Sequence, residues 1–233
     1  MPGRTLPRPI RVAHCVGFYF PENVGGTEVY VRDLAESLGR AGIESVIVGA
    51  TDRTHEEYVW AGAPVFRYPP NWSDVGGEAT DATGRRLTRF QEMVLRAKPD
   101  IFHLHSWTTG AGLKHLDQIA QLGIPCIVTM HVPSALCLRG TMLLEGAGPC
   151  DGRIEETRCT RCWALSRGLP MPAAFAVSHL PKIDLPVELG RKLGRVGTVL
   201  ASRSLVARQK QDLARMSDLS RRVIAPSQWV YAA

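Results

Sequence analysis

The chain has 233 residues, of which 45% are hydrophobic and 21% charged, with a formal net charge of +6. That length holds one large α/β domain or one and a half ordinary ones, and the composition excludes disordered and fibrous classes. No apolar run reaches the roughly 18 residues that span a bilayer. The N-terminus, MPGRTLPRPI, lacks the apolar core of a secretory signal, so the expectation is a cytoplasmic setting in which thiols stay reduced.

Taken in chain order, IRVAHCVGFYF (10–20) is apolar and reads as a buried first strand. Pro21, Gly25 and Gly26 break it. Val31, Leu34, Leu38 and Ala41 then recur at helical spacing, with Gly42 as the stop. SVIVGA (45–50) and PVFRYP (64–69) read as the second and third strands, and the polar stretch 70–83 as a loop. Leu87, Phe90, Val94 and Ala97 mark a helix that ends before Pro99. PDIFHLHS supplies a fourth strand, GLKHLDQIAQLG a helix, PCIVTMH a fifth strand, and RRVIAPS a sixth after a long basic, helical stretch. Strands alternating with helices predict an α/β fold: a parallel sheet with helices on both faces. Ligands then belong at the carboxyl ends of the strands, in the loops after strands one, four and five.

Gly25 and Gly26 lie between the first strand and the first helix. Backbone without a Cβ lets a ligand approach, and a helix N-terminus suits a phosphate. The same glycines also suit a plain tight turn. They form neither G-x-G-x-x-G nor a P-loop.

Four segments, FYFPENVGGTEVYVRDLAESLGRAGIESVIV, KPDIFHLHSW, IPCIVTMH and RRVIAPSQWV, occur in this order across nearly the whole chain. Together they resemble the N-terminal domain of the family 4 glycosyltransferases, which have the GT-B fold of two facing Rossmann-like domains. The resemblance implies that residues 1–233 form the Rossmann-like acceptor-side domain and that 226–233 open the interdomain linker. It further implies that a donor-binding C-terminal domain is missing and that this chain alone is inactive. The implied activity is retaining transfer of a sugar from a nucleotide-sugar to a saccharide, lipid-linked or small-molecule acceptor, without a catalytic metal. Gly25 and Gly26 would then reach the donor diphosphate. The family's E-x7-E motif belongs to the second domain; Glu36 and Glu44 match its spacing but sit at a helix end and a strand start, and we reject them as catalytic. Direct displacement at an anomeric carbon needs no serine or cysteine nucleophile, and no such motif is present. A competing reading is a stand-alone, zinc-stabilised sugar- or nucleotide-binding module.

His131 ends the fifth strand at the ligand edge, where an imidazole can meet a sugar hydroxyl or a diphosphate. The family often has a histidine here, which makes His131 the catalytic candidate. His103 and His105 alternate with apolar residues and share a sheet face. We expect His103 and His14 to be structural, and His105 with Ser106 to touch the acceptor.

Cys137, Cys150, Cys159 and Cys162 make a cluster, the last two as C-x-x-C, within a cysteine-rich insertion at 136–168 after the fifth strand. Four thiolates can close a tetrahedral structural zinc site; an iron–sulfur cluster, a disulfide or unligated thiols are the alternatives. The location, six residues after His131, puts the cluster beside the expected acceptor site. Cys15 and Cys126 read as small core residues.

Between Arg191 and Arg222 nine Lys or Arg stand against two Asp, so this segment carries the chain's positive excess. Leu189, Leu193, Val196 and Leu200 fall at helical spacing among these charges. Residues 186–222 therefore read either as a helix face packed on the domain or as a peripheral contact with the inner membrane face. Aromatic residues do not interleave with the charges, which argues against nucleic acid.

Overall fold

The computed structural model describes residues 8–185 and 187–226, so the expected linker lies outside the described residues beyond residue 226. The described chain forms two compact units, one within Met1–His131 and Met216–Ile224, the other within Val132–Arg215 and Ala225–Ala233.

The first unit opens with β1 (Arg11–Val16), α1 (Gly26–Arg40) and β2 (Glu44–Ala50). The chain leaves α1 through Gly42, whose φ of +77° is a left-handed turn that suits glycine. Then come β3 (Glu56–Trp60), β4 (Ala63–Tyr68), β5 (Gly76–Thr80), β6 (Arg86–Thr88), α2 (Arg89–Ala97), β7 (Ile101–Leu104), α3 (Leu113–Gln121) and β8 (Cys126–Thr129). Thr88 caps α2: its side chain accepts from the Gln91 N–H while Gln91 reaches back to the Thr88 N–H.

The second unit holds the hairpin β9 (Leu143–Leu144) and β10 (Gly148–Pro149), then α4 (Glu156–Ser166), α5 (Met171–Ser178) and α6 (Val187–Leu200). Helix α6 is broken at Gly194, where φ is 53°. Ala164, Ala174 and Val199, from α4, α5 and α6, form the centre of a small core. Helix α7 (Ser202–Leu219) leads to the last strand, β11 (Ser220–Ile224).

Seven strands form one sheet in the order β11-β8-β7-β1-β2-β4-β3, all parallel except the β3–β4 pair. Strand parity sorts the two faces. Val16, Ile47 and Val65 pack with Val31 and Ala35 of α1 on one face. On the other, Phe102 of β7 meets Phe90 of α2, and Phe90 meets His115 of α3. The helices thus cover both faces, as the strand–helix alternation predicts, and this is a Rossmann-like sheet. Each enclosed side chain such as Phe90 adds about 1.5–3 kcal/mol of hydrophobic stabilisation.

Three local expectations are corrected. The first strand ends at Val16 rather than Phe20, and Phe18 is exposed, because residues 17–25 form the loop that starts the ligand edge. The stretch 70–83 is not all loop: it contains a short 3-10 turn (Pro70–Ser73) and β5, which pairs with β6. That pairing takes Leu87 into a strand, so its helix begins two residues later. Strand β3 was not foreseen; EEYVW is an antiparallel edge strand, and its alternating burial is that of a one-sided position.

Candidate active site

The sheet order changes direction between β1 and β7, the switch point where such sheets bind ligands at their carboxyl ends. There the Gly17 N–H donates to Ser106 Oγ at 2.8 Å, tying the loop after β1 to the loop after β7. Ser106 thus has a partner in the backbone of the glycine loop.

Gly25 is the extended residue before α1 (φ −123°), and Gly26 opens the helix. A Cβ on Gly25 would fall 2.5 Å from Glu28 Oε2, whereas one on Gly26 would meet nothing within 4 Å. The helix start is therefore open at Gly26 and filled by a carboxylate at Gly25. Glu28, nearly buried, already offers negative charge to the helix N-terminus.

The loop that carries these glycines is held from below by Arg67 of β4. Arg67 is 2% exposed, and its Nη2 donates to the Tyr19 carbonyl at 2.5 Å and the Phe20 carbonyl at 3.0 Å. Its Nη1 pairs with Glu22 at 2.7 Å. Tyr58 also donates to the Phe20 carbonyl. Sequence reasoning missed Arg67, which looked like one polar residue in a third strand.

Four histidines converge on one face of the sheet. Register places His14 of β1 opposite His103 of β7. His105 and His131 follow two residues past the face-sharing positions His103 and Thr129. His14 Nδ1 lies 3.0 Å from His105 Nε2, and His105 Nδ1 lies 3.2 Å from His131 Nε2. At the far end His14 Nε2 meets Ser45 Oγ at 3.3 Å. His103 bonds separately to Thr129 Oγ1 at 2.7 Å. Burial pushes His14 down to about 3 and His103 down to about 4, and their like neighbours add to the shift. Burial likewise holds His105 well below its ordinary value and lowers His131. Burial thus favours the neutral ring at all four.

His14 and His103 are buried, as expected of structural residues. His105, at 1% exposure, lies behind half-buried His131, because residue 105 continues the inward-facing row of β7. Tyr30 of α1 stands edge-on to the His131 ring at 4.6 Å. Tyr30 and Ser45 drew no notice as sequence, since only register and helix docking bring them to this row.

The ligand atoms of His14, His103 and His105 all lie within 4.8 Å of one another, and no carboxylate belongs to the group. A dication there would be buried with no negative partner, so the donor set suits neutral, mutually hydrogen-bonded rings better than a metal.

A hollow of about 870 Å3 opens elsewhere on this unit, lined by Arg11, Glu36, Arg40, Glu44 and Ser45 among others. It sits at the amino ends of β1 and β2, the edge opposite the ligand loops. Glu36 pairs with Arg40 and Glu44 with Arg11. Sheet topology places the ligand site at the carboxyl edge, away from this hollow.

Residues 25–168, from the glycine turn through His103, His105 and His131 to the C-x-x-C helix, match the family described as the glycosyl transferase 4-like domain. The chain belongs to this family. The glycosyltransferase 4-like domain is that of a sugar-transferring enzyme, and its match covers more than half of the chain. No curated protein matches the chain closely enough to count as a relative.

The second unit of this glycosyltransferase 4-like chain brings all four expected cysteines around one cavity of about 30 Å3. Cys137 follows the 3-10 turn Pro133–Ala135, Cys150 follows β10, and Cys159 and Cys162 stand one turn apart on α4. None is in a disulfide. The Glu145 N–H donates to Cys162 Sγ at 3.2 Å, and Arg139 Nη1 approaches the same sulfur at 3.7 Å. Burial raises the Cys159 thiol, with Cys150 and Cys162 adding to it. Among the described residues, the side chains already close enough together to hold an ion are His14, His103 and His105, not these cysteines. Four free thiols with two donors aimed at one sulfur fit a thiolate-binding metal, provided the side chains turn inward. Cys15 and Cys126 are buried core residues, each pushed up to about 12 by burial.

Leu189, Leu193 and Val196 of α6 are exposed, whereas Leu200, the fourth residue of that expected face, is half-buried and its neighbour Val199 is buried. Among the described residues, no helix is long and apolar enough to cross a membrane.

Proposed function

We propose that this chain is the acceptor-side domain of a retaining glycosyltransferase that moves a sugar from a nucleotide-sugar to a saccharide, lipid-linked or small-molecule acceptor. The observation that carries the reading is His131. It stands just past the carboxyl end of β8, half-buried, with Nε2 engaged by His105 and, among the described residues, no partner at Nδ1. A neutral imidazole with one fixed and one open nitrogen can exchange a hydrogen bond with a sugar hydroxyl as bonds change. Gly26 offers the open start of α1 to the donor diphosphate, and Glu28 would have to yield that charge position when the donor binds. Ser106 orders the loops on the acceptor side. Catalysis then rests on orientation and on hydrogen bonds that strengthen in the transition state.

Zinc held by Cys137, Cys150, Cys159 and Cys162 fits as a structural group; four thiolates leave it no open position for chemistry. Exposed Leu189, Leu193 and Val196 beside Lys192 and Arg195 favour a peripheral contact with an anionic membrane.

The test is sugar transfer by the full-length protein across a panel of nucleotide-sugars. His131→Ala should lower kcat/KM by about 100-fold or more. Undiminished transfer by that variant would remove His131 from the mechanism.

A further inference from the structure

We infer that Ser45, His14, His105 and His131 form one hydrogen-bonded relay whose three rings share a single tautomer, so that His14 and His105 decide whether His131 presents a donor or an acceptor at Nδ1. The inference deepens the proposed role of His131 and rests on it for its functional meaning.

The argument follows from which nitrogens meet. A neutral imidazole has one N–H and one lone pair. Both ring–ring links join an Nδ1 to an Nε2, His14 to His105 at 3.0 Å and His105 to His131 at 3.2 Å. If His14 donates from Nδ1, His105 must accept at Nε2 and therefore carries its own proton on Nδ1. His131 then accepts at Nε2 and shows an N–H outward from Nδ1. If the first link runs the other way, every ring carries its proton on Nε2, and His131 shows a lone pair outward. Mixed tautomers would put two N–H groups or two lone pairs face to face in a buried row, leaving polar groups unsatisfied.

The row ends at Ser45 Oγ, 3.3 Å from His14 Nε2. A hydroxyl donates or accepts, so it terminates either polarity. His103 stands outside the relay because Thr129 Oγ1 takes its Nε2 at 2.7 Å, although its ring lies only 3.9 Å from that of His105. The other groups that face the row are aromatic or hydroxylic: Tyr30 lies against His105 and His131. Burial keeps the rings neutral, as the relay requires. His14 and His105 are thus positioning residues for His131, and Ser45, on the rim of the opposite hollow, is their terminus.

Imidazole 15N chemical shifts of the histidine-labelled chain at pH 7.5 test this. His14, His105 and His131 should show the same tautomer, favoured about tenfold over the other. Ser45→Ala, at a partly exposed site, should move the His131 nitrogens together with those of His14. Differing tautomers among the three rings, or a response to Ser45→Ala confined to His14, would overturn the relay. The reading is independent of turnover: a shared tautomer in a protein that transfers no sugar keeps the relay and defeats the proposed function, and active protein with mixed tautomers does the reverse.

Discussion

The guanidinium of Arg67, 2% exposed, lies 2.7 Å from the carboxylate of Glu22 and ties the third parallel strand to the loop that leads to Gly25 and Gly26. One side chain of the scaffold thereby fixes the loop on which the proposed donor contact depends.

Arg67→Ala should destabilise the protein by about 3 kcal/mol, the lower end for breaking a buried pair, because Glu22 keeps some solvent. Arg67→Lys should recover only part of this, since one ammonium cannot serve two carbonyls and a carboxylate as the fork does. Urea unfolding of both variants checks it; a loss under about 0.5 kcal/mol for Arg67→Ala, the usual surface scale, would deny the clamp.

Acid should weaken the fold in the range where histidines titrate. His14 is lowered to about 3, and His103 and His115 to about 4, chiefly by burial, against about 6.5 in the unfolded chain. The unfolded state therefore takes up protons first as pH falls. The stability is full above about pH 6.5 and is lost from there toward about 4, by up to about 1.4 kcal/mol per pH unit for each histidine. Asp81 and Asp151, held at about 2 by hydrogen bonds from Thr83 and Arg158 first of all, act only at lower pH. Unfolding midpoints at pH 7.5, 6 and 5 should descend; a flat profile would contradict neutral burial of these rings.

If zinc closes the cysteine site, protein purified under reducing conditions should carry about one zinc per chain. Cys159→Ser or Cys162→Ser should lose it, and a chelator should lower the melting temperature of the parent protein but not of the variants. Elemental analysis decides; reduced protein free of zinc and iron would end the metal proposal.

Gly112→Ala should cost about 1–3 kcal/mol as an overpacked substitution. The new Cβ would lie 2.7 Å from the Thr108 carbonyl oxygen, and backbone there cannot swing aside as a side chain would. A melting temperature equal to that of the parent would show that the loop after β7 yields freely.

Lys192→Glu with Arg195→Glu should weaken sedimentation with anionic vesicles, each charge counting for about 1 kcal/mol near the surface. Vesicle binding equal to that of the parent would rule out this segment as the contact.

The sequence by itself determined the alternation of strands and helices, the six parallel strands, the glycine turn at Gly25 and Gly26, and the clustering of Cys137, Cys150, Cys159 and Cys162. Each of these is written in local periodicity or spacing, which neighbouring residues impose on one another along the chain. It did not reveal β3 or the β5–β6 hairpin, whose segments lack strong apolar patterning and depend on their partners. Only the tertiary structure decided that His105 lies behind His131, that Ser45 ends the histidine row, and that Arg67 grips the loop at Tyr19, Phe20 and Glu22. The reason is register: the pairing of β1 with β2 and β7 sets which side chains from distant segments share a face and touch, and no single segment contains that information.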